Sequence, residues 1–207
     1  MTHHIFLTYC HEIVGVAMKW LVQQHFPSSA IEEAQNFQSA LNDLPNKHYD
    51  LVVLDADIAD SVHVLSAVKR IKYISPKTNI LIFSELDEAV FGPTYLSFGI
   101  NGFLTKKADL QSIIRAIQTA LSGGIFWGNQ HNVQPGEHIL PFANPLDTLS
   151  ARETQIVERL VKGHSLTDIG RKMNLRETTI STYKKRIFEK AGVKTLSDLI
   201  KIWKIYR

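Results

Sequence analysis

Residues 175–192, LRETTISTYKKRIFEKAG, place Ile180, Ile187 and Ala191 at i, i+7 and i+11, which draws one apolar stripe on a helix of 3.6 residues per turn. Thr178, Ser181, Thr182 and Lys185 fall on the opposite face. Short hydroxyls and one long cation are side chains that reach base edges and phosphate oxygens without filling a groove. Lys184, Arg186 and Lys190 add positive charge, and Gly192 directly after Ala191 supplies a stop. The stretch reads as a DNA recognition helix; the competing reading is a basic amphipathic helix packed on its own core.

What precedes it favours the first reading. Ser150-Ala151-Arg152-Glu153 has the form of a capping box, and Ile156, Leu160 and Val161 continue with helical spacing until Gly163. A second short helix fits Ser165 to Met173, with Leu166, Ile169 and Met173 on one side and Gly170 open to close packing. Asn174 and Leu175 leave room only for a tight turn. Two short helices so joined, the second one basic, form a helix-turn-helix. A fourth helix, Leu196 to Trp203, presents Leu196, Leu199, Ile200 and Trp203; it is badly placed for the same groove and suits a dimer contact.

The run from Leu149 to Ile200 resembles the LuxR-type helix-turn-helix of NarL/FixJ-type bacterial response regulators, without a gap. Its STYK string, Ser181 to Lys184, is similar to that of BvgA-like and EvgA-like regulators. The resemblance implies that Ser181, Thr182 and Lys185 face bases, that Thr179, Tyr183 and Lys190 touch the DNA backbone, and that the fourth helix dimerises. Two positions depart from the pattern: Tyr183 stands where many members carry His, and Arg176 replaces a small hydroxyl residue.

Charge separates the chain into parts. Residues 1–122 hold 9 Lys/Arg and 12 Asp/Glu (−3), residues 123–148 carry −2, and residues 149–207 hold 14 against 6 (+8), which sums to the net +3. A strongly basic small domain beside an acidic one is the footprint of a nucleic-acid binder tethered to a regulatory module. No run reaches the length of a membrane span, and the N-terminus has no secretory pattern. The single cysteine, Cys10, excludes an internal disulfide framework and fits a reducing cytoplasm. Nucleotide-binding and hydrolase motifs are missing and the histidines are scattered, so the sequence gives no support for an enzyme.

Upstream, the continuous apolar run Leu51-Val52-Val53-Leu54 ends in Asp55, and Ile80 to Phe83 ends in Ser84. Continuous rather than alternating hydrophobicity marks strands covered on both faces. With Ile5 to Leu7, Ala30 to Ala34 and Gly102 to Leu104 as further strands, helices are expected over 12–24, 36–44, 64–74, 88–98 and 109–121. The apolar face of the first is read as Ile13, Val16 and Trp20 with Ala17 or Leu21. The pattern predicts a doubly wound, flavodoxin-like (βα)5 α/β domain over 1–122, a linker over 123–148 that docks in part through Phe126, Trp127 and Phe142, and a four-helix, all-α DNA-binding domain over 149–207. Four of the eleven glycines and three of the seven prolines place the linker.

On this frame Asp55, Ser84, Phe103 and Lys106 resemble the receiver-domain set. The resemblance implies that Asp55 is the phosphoacceptor, that Ser84 and Lys106 hold the phosphoryl group, and that Phe103 is a switch aromatic. An acidic pair that holds Mg²⁺ is expected just after the first strand, but Tyr9 and Cys10 stand there. Neither a phenol nor a thiol suits Mg²⁺, so no cofactor is expected. The sequence thus reads as a transcription regulator of response-regulator type that binds double-stranded DNA as a homodimer and works without the usual Asp phosphorylation. Two alternatives stand beside it: an auxiliary partner that heterodimerises with another regulator, and a conventional response regulator served by a sensor kinase. A thiol or small-ligand sensor built on Tyr9, Cys10 and Asp55 is a further reading.

Overall fold

The computed structural model describes residues 2–35, 42, 47–57, 64–127, 131–133 (backbone only) and 144–206, and the chain divides into two compact units, Met1–Pro141 and Phe142–Arg207. The helix expected over 36–44 lies outside the described residues except for Asn42, which is helical, and Phe142 lies outside them too. No helix among the described residues is long and apolar enough to cross a membrane.

The first unit is built on a seven-stranded sheet in the order β2-β1-β3-β4-β5-β6-β7. Its strands are β1 (His4–Thr8), β2 (Ala30–Ala34), β3 (Leu51–Asp55), β4 (Asn79–Ser84), β5 (Gly102–Thr105), β6 (Ile125–Trp127) and β7 (His131–Val133). The first six pair in parallel, and β7 runs antiparallel to β6. All five residues of β3 are buried, as the unbroken apolar run requires of a strand covered on both faces. Order 2-1-3-4-5 over the first five strands is the flavodoxin-like arrangement, whose crevice opens between β1 and β3 at the strands' carboxyl ends. Asp55, Ser84 and Lys106 stand at those ends.

Two expectations need correction here. The linker placed over 123–148 contains β6 and β7, so six of its residues belong to the sheet, and Phe126 is fully buried within it. The helix α1 (Glu12–His25) buries Gly15, Met18, Leu21 and Val22, against the α4 helix (Leu110–Leu121) and the sheet. The stripe read as its buried face points outward: Ile13, Val16 and Trp20 are 75%, 65% and 57% exposed. The helices α2 (Val64–Ile74) and α3 (Glu88–Leu96) complete the described part of this unit.

The second unit has a 3₁₀ turn, Pro145–Thr148, then α5 (Ala151–Val161), α6 (Leu166–Met173), α7 (Glu177–Ala191) and α8 (Leu196–Tyr206). The capping box at Ser150 forms as expected, with Glu153 accepting from the Ser150 backbone N–H at 2.8 Å. Between α6 and α7 the chain reverses through Asn174 in the left-handed region at φ 54°, and the Leu175 N–H donates to the Gly170 carbonyl at 2.9 Å. A Cβ at Gly170 would lie 2.7 Å from the Leu175 carbonyl oxygen, so the tight turn depends on glycine there. Ile156, Leu160, Ile169, Ile180, Ile187, Leu199 and Ile202 form the core.

Candidate functional site

The recognition helix α7 presents its polar face as the apolar spacing dictates. Ile180, Ile187 and Ala191 are buried, while Thr178, Ser181, Thr182, Lys185 and Arg186 are exposed and Thr179, Tyr183 and Lys184 are half-buried. The Thr182 hydroxyl donates to the Thr178 carbonyl at 3.0 Å, and the Lys184 ammonium sits 5.3 Å from the Phe188 ring centroid. Lys185 reaches Glu189 only at 4.0 Å with both side chains well exposed, a contact too weak to hold the lysine back from a ligand. At the helix start Arg176 is exposed and gives no side-chain cap, whereas Thr167 of α6 donates to Glu177 at 2.7 Å and ties the two helices together.

Lys190, expected on the DNA backbone, has a partner within its own unit. Its ammonium lies 2.7 Å from the carboxylate of buried Glu153. Burial raises the Glu153 pKa, but the Lys190 ammonium and the Ser150 backbone N–H and hydroxyl outweigh it and hold the carboxyl below its usual range. A depressed carboxyl contributes stability that is present above the unfolded pKa of about 4.3 and is lost as pH falls through the folded value. Lys190→Ala is therefore expected to cost about 1 kcal/mol, after discounting for the exposed lysine end, and to lower the melting temperature of the second unit by about 5 °C at pH 7. The deficit should shrink as the pH is lowered below about 4 in thermal melts. A variant that melts like wild type at pH 7 would return Lys190 to a purely DNA-contacting role.

The second site lies at the carboxyl ends of β1, β3, β4 and β5. Asp55 is 1% exposed, and the Lys106 ammonium sits 2.8 Å and 2.9 Å from its two carboxylate oxygens, 3.1 Å from Asp57 and 3.3 Å from the Cys10 sulfur. Asp55 also accepts from the backbone N–H groups of Cys10 at 3.1 Å and Asp57 at 2.9 Å. Ser84 donates its hydroxyl to Asp57 at 3.3 Å. Burial opposes the lysine's charge, but hydrogen bonds to Asp55 and Asp57 prevail and hold Lys106 above the ordinary lysine range. Phe103 is fully buried and stacks on Tyr95, with centroids 5.2 Å apart. Burial, then the charge of Asp57, pushes the Tyr95 hydroxyl up to about 12.

Asp55 and Lys106 thus meet at the strands' carboxyl ends, Asp57 and Ser84 join them, and Phe103 lies apart, buried against Tyr95 of α3. The Asp55-x-Asp57 spacing was the visible signal of Asp57, since a turn leaving a strand can aim two carboxylates at one cation. The two residues that follow β1, Tyr9 and Cys10, bring a phenol and a thiol. Tyr9 packs its ring against Gly15 on α1, where an added Cβ would lie 2.5 Å away, and Glu12 accepts from Gln35 at 3.2 Å. Among these carboxylates only Asp55 and Asp57 meet Lys106, whose ammonium already bridges them. A hard dication needs several free oxygens in octahedral array. Burial, then Asp55, pushes the Cys10 thiol above its ordinary pKa against the pull of Lys106, which disfavours the reactive thiolate.

Two apolar surfaces remain. On the first unit a groove of about 400 Å³ is lined by Ile13, Trp20, Leu110 and Ile113, beside Phe83 and Lys106. On the second, Leu196, Ile200 and Trp203 are half-buried. Leu199, expected to join them in a dimer contact, is fully buried in its own unit, because α8 turns its i, i+3 edge of Leu199 and Ile202 inward.

Comparison with known proteins gives the following. Residues 11–118 match the response regulator receiver domain, and residues 147–203 match the luxR family of bacterial regulatory proteins. The chain is 29% identical over 198 residues to the Fimbriae Z protein of Salmonella typhimurium, covering 92% of this chain and 90% of that protein. It is 32% identical over 152 residues, 72% of each chain, to the DNA-binding transcriptional activator EvgA of Escherichia coli. The backbone is similar to that of the two-component response regulator RcsB in its DNA complex, with a TM-score of 0.82, 19% identity and full coverage of both chains.

Proposed function

This chain belongs to the response-regulator family, as a receiver domain followed by a luxR-family helix-turn-helix, and from that premise we propose that it is a cytoplasmic, sequence-specific transcription regulator that binds double-stranded DNA as a homodimer without the conventional Asp phosphorylation cycle. The observation that carries DNA binding is α7, which buries Ile180, Ile187 and Ala191 and exposes Thr178, Ser181, Thr182, Lys185 and Arg186 on the other side. A helix seated in a major groove reads base edges with such outward residues while flanking cations meet phosphates. Relatives support the reading: EvgA is a DNA-binding transcriptional activator, and RcsB has been solved on DNA. For the dimer we propose α8, through Leu196, Ile200 and Trp203, and the exposed stripe of Ile13, Val16 and Trp20 on α1.

Base and phosphate contacts separate experimentally. Lys185→Ala is expected to cost about 1 to 3 kcal/mol on the preferred site and to relax its sequence preference. Arg186→Ala is expected to weaken all sites alike and to flatten the salt dependence by about one unit of slope. Equal affinities of wild type and Lys185→Ala across a panel of sites would remove α7 from the recognition role.

Independence from phosphorylation is supported by the pocket. Phosphoryl transfer brings negative oxygens against a carboxylate, and metal ions ordinarily neutralise them. Here both Asp55 oxygens are engaged, and the Lys106 charge is shared with Asp57. Millimolar Mg²⁺ with beryllofluoride is expected to leave the DNA affinity of wild type and of Asp55→Asn nearly equal in a titration. Tightening in wild type but not in Asp55→Asn would mean that Asp57 serves as the missing acid, and would return the protein to the kinase-driven class.

A further inference from the structure

Apolar side chains left in water on the first unit gather round one hollow. Among the described residues the large exposed ones are Ile13, Val16, Trp20, Tyr73 and Leu110, and three of these, Ile13, Trp20 and Leu110, line the groove beside α1 and α4. Single apolar residues scattered over a surface need no explanation, whereas a cluster marks a place where something binds.

The groove reaches into the core. Met18, Leu21 and Phe83 line it too, and all three are buried members of the cluster that packs α1 and α4 on the sheet. On the α1 side it is walled by exposed Ala17, whose single methyl fills little of the space. Its volume of about 400 Å³ is well above the roughly 150 Å³ that admits a benzene ring, so a body of about two aromatic rings is accommodated. Mainly apolar recesses of this size are where small molecules bind.

Charge selects the kind of molecule. Lys106 is the one charged side chain among the described lining residues, and its ammonium is already committed to Asp55, Asp57 and Cys10. What it can offer the groove is its methylene stem. An anion brought in would meet two carboxylates behind one cation, and a cation would find no carboxylate in the described lining. We propose that the groove is the binding site of a small, uncharged, mostly apolar molecule, seated on Met18, Leu21 and Phe83 beneath the rim of Ile13, Trp20 and Leu110. Its occupant rests against Lys106 and excludes water from it, which strengthens the pairing with Asp55 and Asp57. The site does not depend on DNA binding. It is also separable from the proposed dimer stripe, because Val16 does not line the groove.

The probe for a test is N-phenyl-naphthylamine, uncharged and fluorescent in apolar surroundings, titrated into the full-length protein. Saturable binding in the micromolar range is expected, together with a higher melting temperature of the first unit. Anilinonaphthalene sulfonate carries the same rings with a negative charge and is expected to bind about tenfold more weakly or worse. Ala17→Phe fills the groove, and Leu110→Asp puts a charge on its rim at the first turn of α4, where a helix tolerates an acid. Each should weaken the uncharged probe about tenfold or more. Ala17→Ser keeps the space, Tyr73→Asp removes an exposed ring elsewhere, and Val16→Asp alters the dimer stripe; all three should bind within about threefold of wild type. The proposal is overturned by the absence of saturable binding, by a sulfonate that binds as well as the uncharged probe, or by affinity that Ala17→Phe and Leu110→Asp leave unmoved. Loss of both probe binding and self-association in Val16→Asp overturns it as well, and assigns the groove to a second copy of the chain. Should Ala17→Phe fail to fold, Leu110→Asp set against Ala17→Ser decides the matter.

Discussion

Leu199→Asp is expected to unfold the C-terminal unit instead of merely splitting a dimer. Leu199 is 0% exposed within its own unit, packed in a core shared with Ile156, Leu160, Ile180 and Ile187. Removing a buried leucine costs about 2 to 5 kcal/mol, and leaving a carboxylate without a partner adds several more. A unit of this size has a total stability of about 5 kcal/mol, so the substitution consumes all of it. The expected record is loss of the second unit's thermal transition and of all DNA binding, with the receiver still folded. Ile200→Asp and Trp203→Asp act on half-buried positions and should keep the fold. Their effect should appear in sedimentation as weaker self-association, and in binding assays as lost preference for two-fold sites over half-sites. A folded Leu199→Asp protein with wild-type melting would show that α8 has been assigned its faces the wrong way round.

That distinction marks where the sequence could be read and where it could not. The α8 helix has apolar residues at 196, 199, 200, 202, 203 and 205, covering more than half of the helix circumference, and periodicity cannot tell which part of that arc meets the core. The α1 helix fails in the same way, and more completely: Ile13, Val16 and Trp20 form a regular stripe, yet Gly15, Met18, Leu21 and Val22 form another, and the second is the one buried. Sequence spacing sees only that stripes exist, not which of two meets the sheet. By contrast, α7 has charged and hydroxyl residues on every side but one, so Ile180, Ile187 and Ala191 had a single possible orientation, and the candidate DNA face followed from it.

Strands show a similar division. Leu51–Leu54 and Ile80–Phe83 are unbroken apolar runs, as strands covered on both faces require, and the residues that end them are Asp55 and Ser84. Ile125–Trp127 and His131–Val133 have three residues each, too few to show a period, and sit among glycines that signal a linker. Side-chain partnerships were the least legible. Lys190 and Glu153 are 37 residues apart, and only the folded second unit reveals that a cation expected on DNA is held by a buried carboxylate.

Lys106→Met is expected to be the most disruptive single change in the receiver. The lysine is 11% exposed and is the cation that meets Asp55 and Asp57, two carboxylates that converge on it from one turn. Taking it away leaves Asp55, 1% exposed, with backbone N–H partners but no counter-charge. Breaking a buried ion pair from one side costs about 3 to 5 kcal/mol, whereas removing both partners together is often nearly neutral. The melting temperature of the first unit should therefore fall by roughly 10 °C in Lys106→Met and recover most of that loss in Lys106→Met/Asp55→Asn. The double-variant arm tests more than stability. If Asp55 were kept as a phosphoacceptor and Lys106 only as its reader, the pair would be coupled in signalling but not in folding, and the second substitution would restore nothing. Recovery in the double variant, measured by calorimetry on the full chain, would show that the two side chains serve each other as a permanent internal ion pair, with Lys106 standing between the carboxylates where a metal-dependent receiver would need room for its cation.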